Sequence, residues 1–211
     1  MTLAAIVRTP LLAGLRELDL TLEASQLTAL VAYLDLLARW NTAYNLTAVR
    51  DPLEMVYRHL LDSLAALPHV RGPRVLDVGS GAGLPGVPLA IACPQWSVTC
   101  LDSNGKKTRF ITQTVLELGL PNVLVAHGRV EEYRPSAPFD TVTSRAFSQL
   151  GDFWAGANHL IGAPGRLVAL KGTLTDNELA TLPSGLQTQV MPVTVPGLEA
   201  QRHIVTLTRP A

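Results

Sequence analysis

The sequence predicts a single α/β domain built on a mostly parallel, doubly wound sheet of seven strands. Three observations predict this fold. Short apolar segments alternate with helix-length segments through the middle of the chain. The first of these strands runs into a glycine-rich loop. The end of the chain changes to two strand-like segments around a Pro-Gly turn, which indicates an antiparallel hairpin.

The composition is that of a folded protein. The chain has 211 residues, of which 47% are hydrophobic and 16% charged, so it can bury a full core without covalent support. No apolar run is long enough to cross a membrane, and Arg8 and Pro10 interrupt the N-terminus where a signal peptide would need an apolar run. We therefore expect a cytoplasmic monomer. The net charge of zero argues mildly against a large basic surface but leaves a local basic patch open.

The cysteines and histidines do not indicate a metal site. Cys93 and Cys100 match the spacing of neither a zinc site nor a redox pair, so we expect two reduced thiols in the core. The five histidines are scattered, and no two of them stand four residues apart. No metal is predicted.

Two helices are predicted before the first strand. Residues 1–70 would form a helical extension that caps the main domain at 71–211 in one compact unit. The first helix is predicted from Thr21, as its N-cap, to Trp40. The second begins at Asp51, because a capping acid is followed by proline at the first helical position.

Polar residues between and on these helices are the first candidates for substrate contact. Residues 40–47 are predicted to form the connecting loop, in which Asn45 would either touch a substrate base or cap a turn. Arg58, His59 and Asp62 are predicted to lie on the solvated face of the second helix.

The sheet is predicted from seven apolar segments. They are residues 74–78, 96–102, 123–127, 140–144, 166–171, 187–195 and 202–208. The first five alternate with helix-length segments and predict right-handed βαβ units. The last two predict the hairpin at the edge of the sheet.

The strongest local signal is a glycine loop directly after the first strand, DVGSGAGLPG at residues 77–86. A loop with few side chains lets a ligand approach the backbone, and ligands of open α/β sheets bind beyond the carboxyl ends of the strands. Asp102 ends the next strand, where a carboxylate can accept hydrogen bonds from both hydroxyls of an adenosine ribose. Loop and acid together predict a site for an adenosine-containing cofactor.

The glycine loop permits two registers. Gly79, Gly81 and Gly83 have the Gly-x-Gly-x-Gly spacing of S-adenosylmethionine sites, whereas Gly81, Gly83 and Gly86 have the Gly-x-Gly-x-x-Gly spacing of dinucleotide sites. The first register is favoured because Gly79 follows the strand at once, and because Asp77 suits a cationic amino group better than a pyrophosphate. A nicotinamide-dependent oxidoreductase remains an alternative, as does a tight turn without a ligand.

Other strand ends supply side chains at the same edge. Arg145 follows the fourth strand and would hold a phosphate or a carboxylate, and Lys171 ends the fifth. Val130 and Glu131 follow the third strand, where an adenine would lie. The alternatives stay open: a surface ion pair for the arginine and a helix-starting role for Glu131.

Several motifs occur in one order along the chain. They are YNLT at 44–47, RHLLDS at 58–63, DVGSGAGLPGVP at 77–88, LDS at 101–103, SRAF at 144–147, LKG at 170–172 and RH at 202–203. Over about residues 25 to 209, the set closely resembles the bacterial 16S ribosomal RNA guanine-N7 methyltransferase family, also called glucose-inhibited division protein B. The sequence departs from the family pattern at Gln201, where an acid is common, and at Asn104, where an apolar residue is usual.

The resemblance implies a Rossmann-like class I methyltransferase domain at 71–211 that binds S-adenosylmethionine. The substrate would be one guanine of 16S ribosomal RNA or the 30S subunit. With the glycine loop, the implied cofactor contacts are Gly79, Gly81, Gly83, Leu84, Asp102, Ser103, Asn104, Val130, Glu131 and Arg145. The implied catalytic residues beside the base are Arg145 and Lys171. The other residues expected on the RNA side are Asn45, His59 and Arg202.

The chemistry agrees with the residues present. Guanine N7 is an unprotonated acceptor, so in-line displacement of a sulfonium methyl group needs no general base, and the sequence contains no convincing nucleophile–base set. Catalysis would then consist mainly of alignment. A third possibility is an RNA-binding or assembly module that kept the fold without turnover.

Overall fold

The computed structural model describes residues 2–210 and has the predicted sheet. Its strands are β1 (Arg74–Val78), β2 (Ser97–Asp102), β3 (Val123–His127), β4 (Phe139–Ser144), β5 (Ile161–Lys171), β6 (Gln187–Pro192) and β7 (His203–Thr208). Their spatial order is β3-β2-β1-β4-β5-β7-β6. β1 to β5 run parallel, whereas β7 pairs antiparallel with β5 and with β6. The predicted edge hairpin is therefore confirmed.

Helices precede the sheet and connect its strands. The helices are α1 (Leu3–Glu17), α2 (Ala24–Tyr44), α3 (Pro52–Met55), α4 (Asp62–Leu64), α5 (Gly86–Ala92), α6 (Gly105–Leu118), α7 (Leu150–Ala157) and α8 (Asp176–Ala180). A wide π turn at Val56–Leu61 joins α3 to α4 without a break, and we call the whole of residues 52–64 the α3–α4 segment. Two short 3₁₀ turns lie at Leu67–His69 and Asn158–Leu160.

The helical cap and the sheet share one hydrophobic cluster. Leu11 of α1, Leu34 of α2 and Leu60 of the α3–α4 segment belong to the same cluster of buried side chains as Val168 of β5. On the other face of the sheet, Phe153 of α7 lies in a second cluster. Because the cap buries its apolar face against the sheet, its polar residues are held at fixed positions around the carboxyl edge.

The start of the chain differs from the prediction. α1 was not predicted, and it forms with Pro10 inside it because Val7, Leu11 and Leu15 are buried in the core. The predicted N-cap at Thr21 is wrong.

The N-cap of α2 is Glu23, whose backbone N–H donates to Oε1 of Gln26 at 2.7 Å. A side chain one turn inside the helix therefore decides where it begins.

The end of α2 also differs from the prediction. The helix continues to Tyr44, through residues that were assigned to a loop, and Asn45 ends it in the left-handed conformation with φ of 50°. The rings of Trp40 and Tyr44, one turn apart, stack with centroids 5.0 Å apart. Asn41 is buried, and its Oδ1 accepts a hydrogen bond from the backbone N–H of Thr47 at 2.9 Å. These contacts extend the helix.

The α3–α4 segment begins as predicted, but it is buried on more sides than predicted. Asp51 caps it by accepting hydrogen bonds from two backbone N–H groups at 2.9 Å. The prediction of a solvated face is correct for Arg58, which is exposed, but wrong for His59 and Asp62, each of which is only 5% exposed. The physical reason is tertiary contact. The guanidinium groups of Arg145 and Arg202 cover Asp62, and His59 packs against the loop before the segment, with Nε2 at 2.9 Å from Oγ1 of Thr47.

Candidate active site

A cavity of about 300 Å³ opens at the carboxyl edge of the sheet, where the strand order reverses between β1 and β4. Its walls are the ends of β1 and β2 and the segments after β3 and β4. Five of the predicted cofactor residues line it: Gly79, Asp102, Ser103, Val130 and Glu131. This is the position at which open α/β sheets bind their ligands.

Gly79 forms the floor of the cavity. Its φ of +66° is one that side-chain-bearing residues rarely adopt. A Cβ atom at this position would lie 2.6 Å from Cβ of Ala146, which lines the cavity after β4. The two segments approach this closely only because Gly79 lacks a side chain.

Asp102 joins the glycine loop to the next strand. Its Oδ2 accepts a hydrogen bond from the backbone N–H of Gly81 and its Oδ1 accepts one from that of Asn104, both at 2.8 Å. Each carboxylate oxygen can accept a second hydrogen bond. The side chain is therefore oriented by the protein and keeps acceptor capacity on the cavity side.

Asp77 supports the loop from below and does not reach the cavity. It is 0% exposed, and its Oδ2 accepts a hydrogen bond from the backbone N–H of Gly86 at 2.9 Å. Burial raises the pKa of Asp77 to about 7. Asp77 is not among the residues that line the cavity, so the expectation that its carboxylate meets a cationic amino group stays a prediction.

Four predicted cofactor residues support the cavity without lining it: Gly81, Gly83, Leu84 and Asn104. Leu84 is buried in the hydrophobic cluster beneath the loop. The side chain of Asn104 caps α6 by accepting a hydrogen bond from the backbone N–H of Lys106 at 2.9 Å. Both residues shape the backbone that faces the ligand.

Arg145 turns from the cavity toward the α3–α4 segment. Its Nη1 lies 3.3 Å from Oδ2 of Asp62, and Oδ1 of the same carboxylate accepts a hydrogen bond from Nε of Arg202 at 2.7 Å. Arg145 also donates to the backbone carbonyl of Arg58 at 3.3 Å. One buried carboxylate thus holds two predicted RNA-side arginines together, beside the cofactor cavity.

Lys171 lies at the end of β5, and its ammonium group has a partner for each of its three donors. Its ammonium group donates to the backbone carbonyls of Phe147 at 3.1 Å and Ser148 at 2.7 Å, and it pairs with the carboxylate of Glu178. Both side chains of the pair are at most 11% exposed. In this arrangement Lys171 positions the segment that carries Phe147, which lines the cavity.

The predicted RNA-side residues His59 and Asn45 are not among the residues that line the cavity. Nε2 of His59 is 2.9 Å from Oγ1 of Thr47, and its Nδ1 has no hydrogen-bond partner among residues 2–210. Burial lowers the pKa of His59 to about 4, and the nearby charge of Arg145 acts in the same direction. Asn45 is exposed, and its Oδ1 accepts a hydrogen bond from Arg50 at 3.0 Å.

Sequence reasoning missed several residues of the site. Lys107, Arg129 and Phe147 line the cavity, and Asp62 pairs with both arginines. Phe147 and Asp62 stand inside motifs that the sequence analysis had singled out, so membership of those motifs was the available signal. Lys107 stands near the start of α6, which follows β2. Its position close to the carboxyl edge of the sheet could have predicted it as a site residue.

The described part of the chain adds two negative findings. No cluster of three or more histidine, cysteine or acidic side chains suited to a metal ion occurs between residues 2 and 210. No helix in the same range combines the length and apolar character of a membrane span.

Comparison with known proteins identifies relatives over almost the whole chain. The model of the GidB family, described as rRNA small subunit methyltransferase G, matches residues 26–205. A protein named ribosomal RNA small subunit methyltransferase G from Alkalilimnicola ehrlichii is 54% identical over 94% of this chain and 90% of its own length. One of the same name from Laribacter hongkongensis is 52% identical over 95% and 98%.

Solved structures with a similar fold are methyltransferases of distant sequence. An O-methyltransferase from Bacillus cereus in complex with S-adenosylhomocysteine has a TM-score of 0.59 at 16% identity, covering 84% of this chain and 91% of that one. A precorrin-6y C5,15-methyltransferase from Geobacter metallireducens has a TM-score of 0.55 at 17% identity, covering 79% and 92%. At these identities the likeness concerns the fold alone.

Proposed function

The chain belongs to the GidB family of small-subunit ribosomal RNA methyltransferases, which use S-adenosylmethionine, and on this premise we propose that it methylates N7 of one specific guanine in 16S ribosomal RNA. Membership of a methyltransferase family sets aside the nicotinamide-dependent oxidoreductase that the second glycine register had left open. The observation that carries the proposal is the cavity at the strand-order reversal, with Asp102 on one wall and, beside it, two arginines that Asp62 of the helical cap holds together.

The residues of the cavity fit S-adenosylmethionine. Asp102 has free acceptor capacity for the ribose hydroxyls, and Gly79 exposes backbone where a side chain would fill the space. Val130 and Glu131 face the cavity beyond β3, where we place the adenine. When bound, the cofactor supplies a methyl group on a sulfonium sulfur. We assign cofactor binding to the body at 71–211, and RNA contact in part to the cap at 1–70.

Guanine N7 is already nucleophilic, so the protein has to expose and align it. In A-form RNA, N7 faces a deep and narrow groove, so the target base must be unpaired or turned out, at a cost of about a few kcal/mol. Arg145 is the residue that we assign to the base, because it is partly exposed and stands between the cavity and the cap. Asp62 holds this guanidinium in place, which restricts it to one orientation.

The other predicted RNA-side residues have different parts in this proposal. Arg202 pairs with the same carboxylate of Asp62 as Arg145 does, and it adds a second positive charge at the carboxyl edge of the sheet. Lys171 acts as a positioning residue, since its three donors are taken by two carbonyls and Glu178. His59 acts through Thr47 on the loop that carries Asn45, and neither needs to touch the reacting atoms.

The test is transfer of a labelled methyl group from S-adenosylmethionine to protein-free 16S RNA and to unmethylated 30S subunits, in separate reactions. Mass mapping should find the label on N7 of a single guanine in at least one of the two. Arg145→Ala should abolish transfer while S-adenosylhomocysteine still binds. Label on another atom, on many bases or only on a small molecule would contradict the proposal.

A further inference from the structure

A second cleft lies at the opposite edge of the sheet, near the amino ends of the parallel strands. Two adjoining cavities of about 500 and 270 Å³ share four lining residues, Arg71, Arg166, Gln187 and Thr208, and we call these four residues the basal cleft. The strand register brings three of them into one row, because Arg166 of β5 pairs with Thr208 of β7, which pairs with Gln187 of β6.

The basal cleft is open because the helical cap covers only part of this sheet face. Val168 and Leu170 point to the same side as Arg166, and both are buried in the cluster that the cap shares with the sheet. Arg166 lies two residues closer to the amino end of β5 than Val168, outside that cluster. Thr206, which also lines the cleft, is buried as part of its polar floor.

The charges of the basal cleft are not balanced by the described residues. Neither Arg71 nor Arg166 forms an ion pair with any carboxylate of residues 2–210. Nε of Arg166 is buried and has no hydrogen-bond partner in that range. Burial and the neighbouring charge of Arg71 lower the pKa of Arg166.

The basic side chains at the carboxyl edge provide a contrast. Arg145 and Arg202 share the carboxylate of Asp62, and Lys171 is paired with Glu178. A buried donor without a partner costs about 1–3 kcal/mol. Two adjacent guanidinium groups that lack a counter-charge therefore indicate that an anion from outside the described chain completes the cleft.

The chemistry of the cleft selects an oxygen-rich anion. Guanidinium groups present planar, forked donors that match phosphate geometry. Oγ1 of Thr208 donates to Oε1 of Gln187 at 3.3 Å, which leaves the side-chain NH₂ group of Gln187 as a neutral donor for the anion. A protein with a net charge of zero has no overall attraction for a polyanion. It needs local basic sites to hold one.

We propose that the basal cleft binds a backbone phosphate of the RNA substrate, at a position separate from the target base. This inference rests on the proposed function. Five residue steps along β5 separate Arg166 from Lys171 at the carboxyl edge, which is about 17 Å at the rise of a strand. The phosphate therefore belongs to a different part of the RNA from the methylated nucleotide, and the two sites together fix the orientation of the enzyme on its substrate.

The test compares RNA binding by the full-length wild type, Arg71→Gln, and Arg71→Gln combined with Arg166→Gln. Arg8→Gln removes the same charge from an exposed position of α1 and serves as the matched control. Binding of protein-free 16S RNA and of 30S subunits is measured by filter retention at several salt concentrations, independently of methyl transfer. S-adenosylhomocysteine binding, measured by calorimetry, checks that each variant retains the cofactor site.

Loss of this one neutralised phosphate in the double variant should reduce the slope of log Kd against log salt by about 0.7 to 0.9. Arg71→Gln alone should show about half of this change, which keeps the test valid if the double variant does not fold. Cofactor affinity and the Arg8→Gln control should equal wild type.

Two results would overturn the inference. The first is an unchanged salt slope in a folded Arg71→Gln variant. The second is weaker binding to 30S subunits with unchanged binding to protein-free RNA, which would assign the cleft to carboxylates of a ribosomal protein. Because RNA binding is measured directly, a failure to methylate 16S RNA would contradict the proposed function without changing this readout.

Discussion

Replacing Gly79 by alanine tests whether close approach of two loops creates the cofactor cavity. The new Cβ atom would lie 2.6 Å from Cβ of Ala146, whereas carbon atoms in contact prefer about 3.5–4.0 Å. Ala146 cannot easily retreat, because its backbone N–H donates to Oγ of Ser144 at 3.1 Å, and that hydroxyl donates to the carbonyl of Val78 at 2.7 Å.

The expected loss of stability has two parts. Left-handed backbone at φ of +66° costs an alanine about 1–2 kcal/mol, and overpacking costs about 1–3 kcal/mol more. Gly79→Ala should therefore lower the free energy of unfolding by about 2–5 kcal/mol. Gly119→Ala is the matched control, since φ is +61° there and no atom lies within 4 Å of the added Cβ, so only the first part applies.

Urea denaturation of the two single variants and of Gly79→Ala combined with Ala146→Gly separates these parts. The double variant should recover the overpacking part and retain the backbone part. S-adenosylhomocysteine should bind Gly79→Ala at least about tenfold more weakly, because both residues line the cavity. Equal losses of stability in Gly79→Ala and Gly119→Ala, with no recovery in the double variant, would refute the steric explanation.

Three further predictions concern single side chains. Asp102→Ala should weaken S-adenosylhomocysteine binding by about 1.5–3 kcal/mol, the contribution of hydrogen bonds to a charged acceptor; calorimetry showing wild-type affinity would contradict its role. Burial lowers the pKa of His59 to about 4, below the value of about 6.5 in an unfolded chain. The contribution of neutral His59 to stability is therefore complete above about pH 6.5 and is lost as the pH falls toward about 4, by at most about 1.4 kcal/mol per pH unit. The free energy of unfolding of His59→Gln, from denaturation curves at each pH, should fall less steeply over this range than that of wild type. Lys171→Met should cost about 3–5 kcal/mol, since it leaves the carboxylate of Glu178 buried without its partner; a loss below about 1 kcal/mol in urea denaturation would show that the pair is not a buried one.

Local patterns were sufficient for the sheet and for the centre of the site. A strand-length apolar segment or a glycine loop can be recognised from residues that are adjacent in the sequence. For this reason β1, β3 and the edge hairpin could be predicted. Because parallel strands end at a common edge, the same reasoning placed Gly79 and Asp102 at one cavity.

The partners of the charged side chains could not be predicted from local patterns. Asp62 was assigned to a solvated face, because no pattern in its own helix shows that side chains from other parts of the chain cover it. It meets Arg145 and Arg202, which are 83 and 140 positions further along the chain. Such contacts depend on how the cap packs on the sheet.

The sequence by itself thus determined the fold, the cofactor loop and the family, since each is written in the order and spacing of neighbouring residues. Tertiary packing determined which charged side chains are paired with one another within residues 2–210 and which are not. Arg145, Arg202 and Lys171 meet carboxylates brought in by the cap and by α8, while Arg71 and Arg166 lie where no helix covers the sheet. Charge pairing depends on distances between segments remote in sequence, and those distances exist only once the chain has folded.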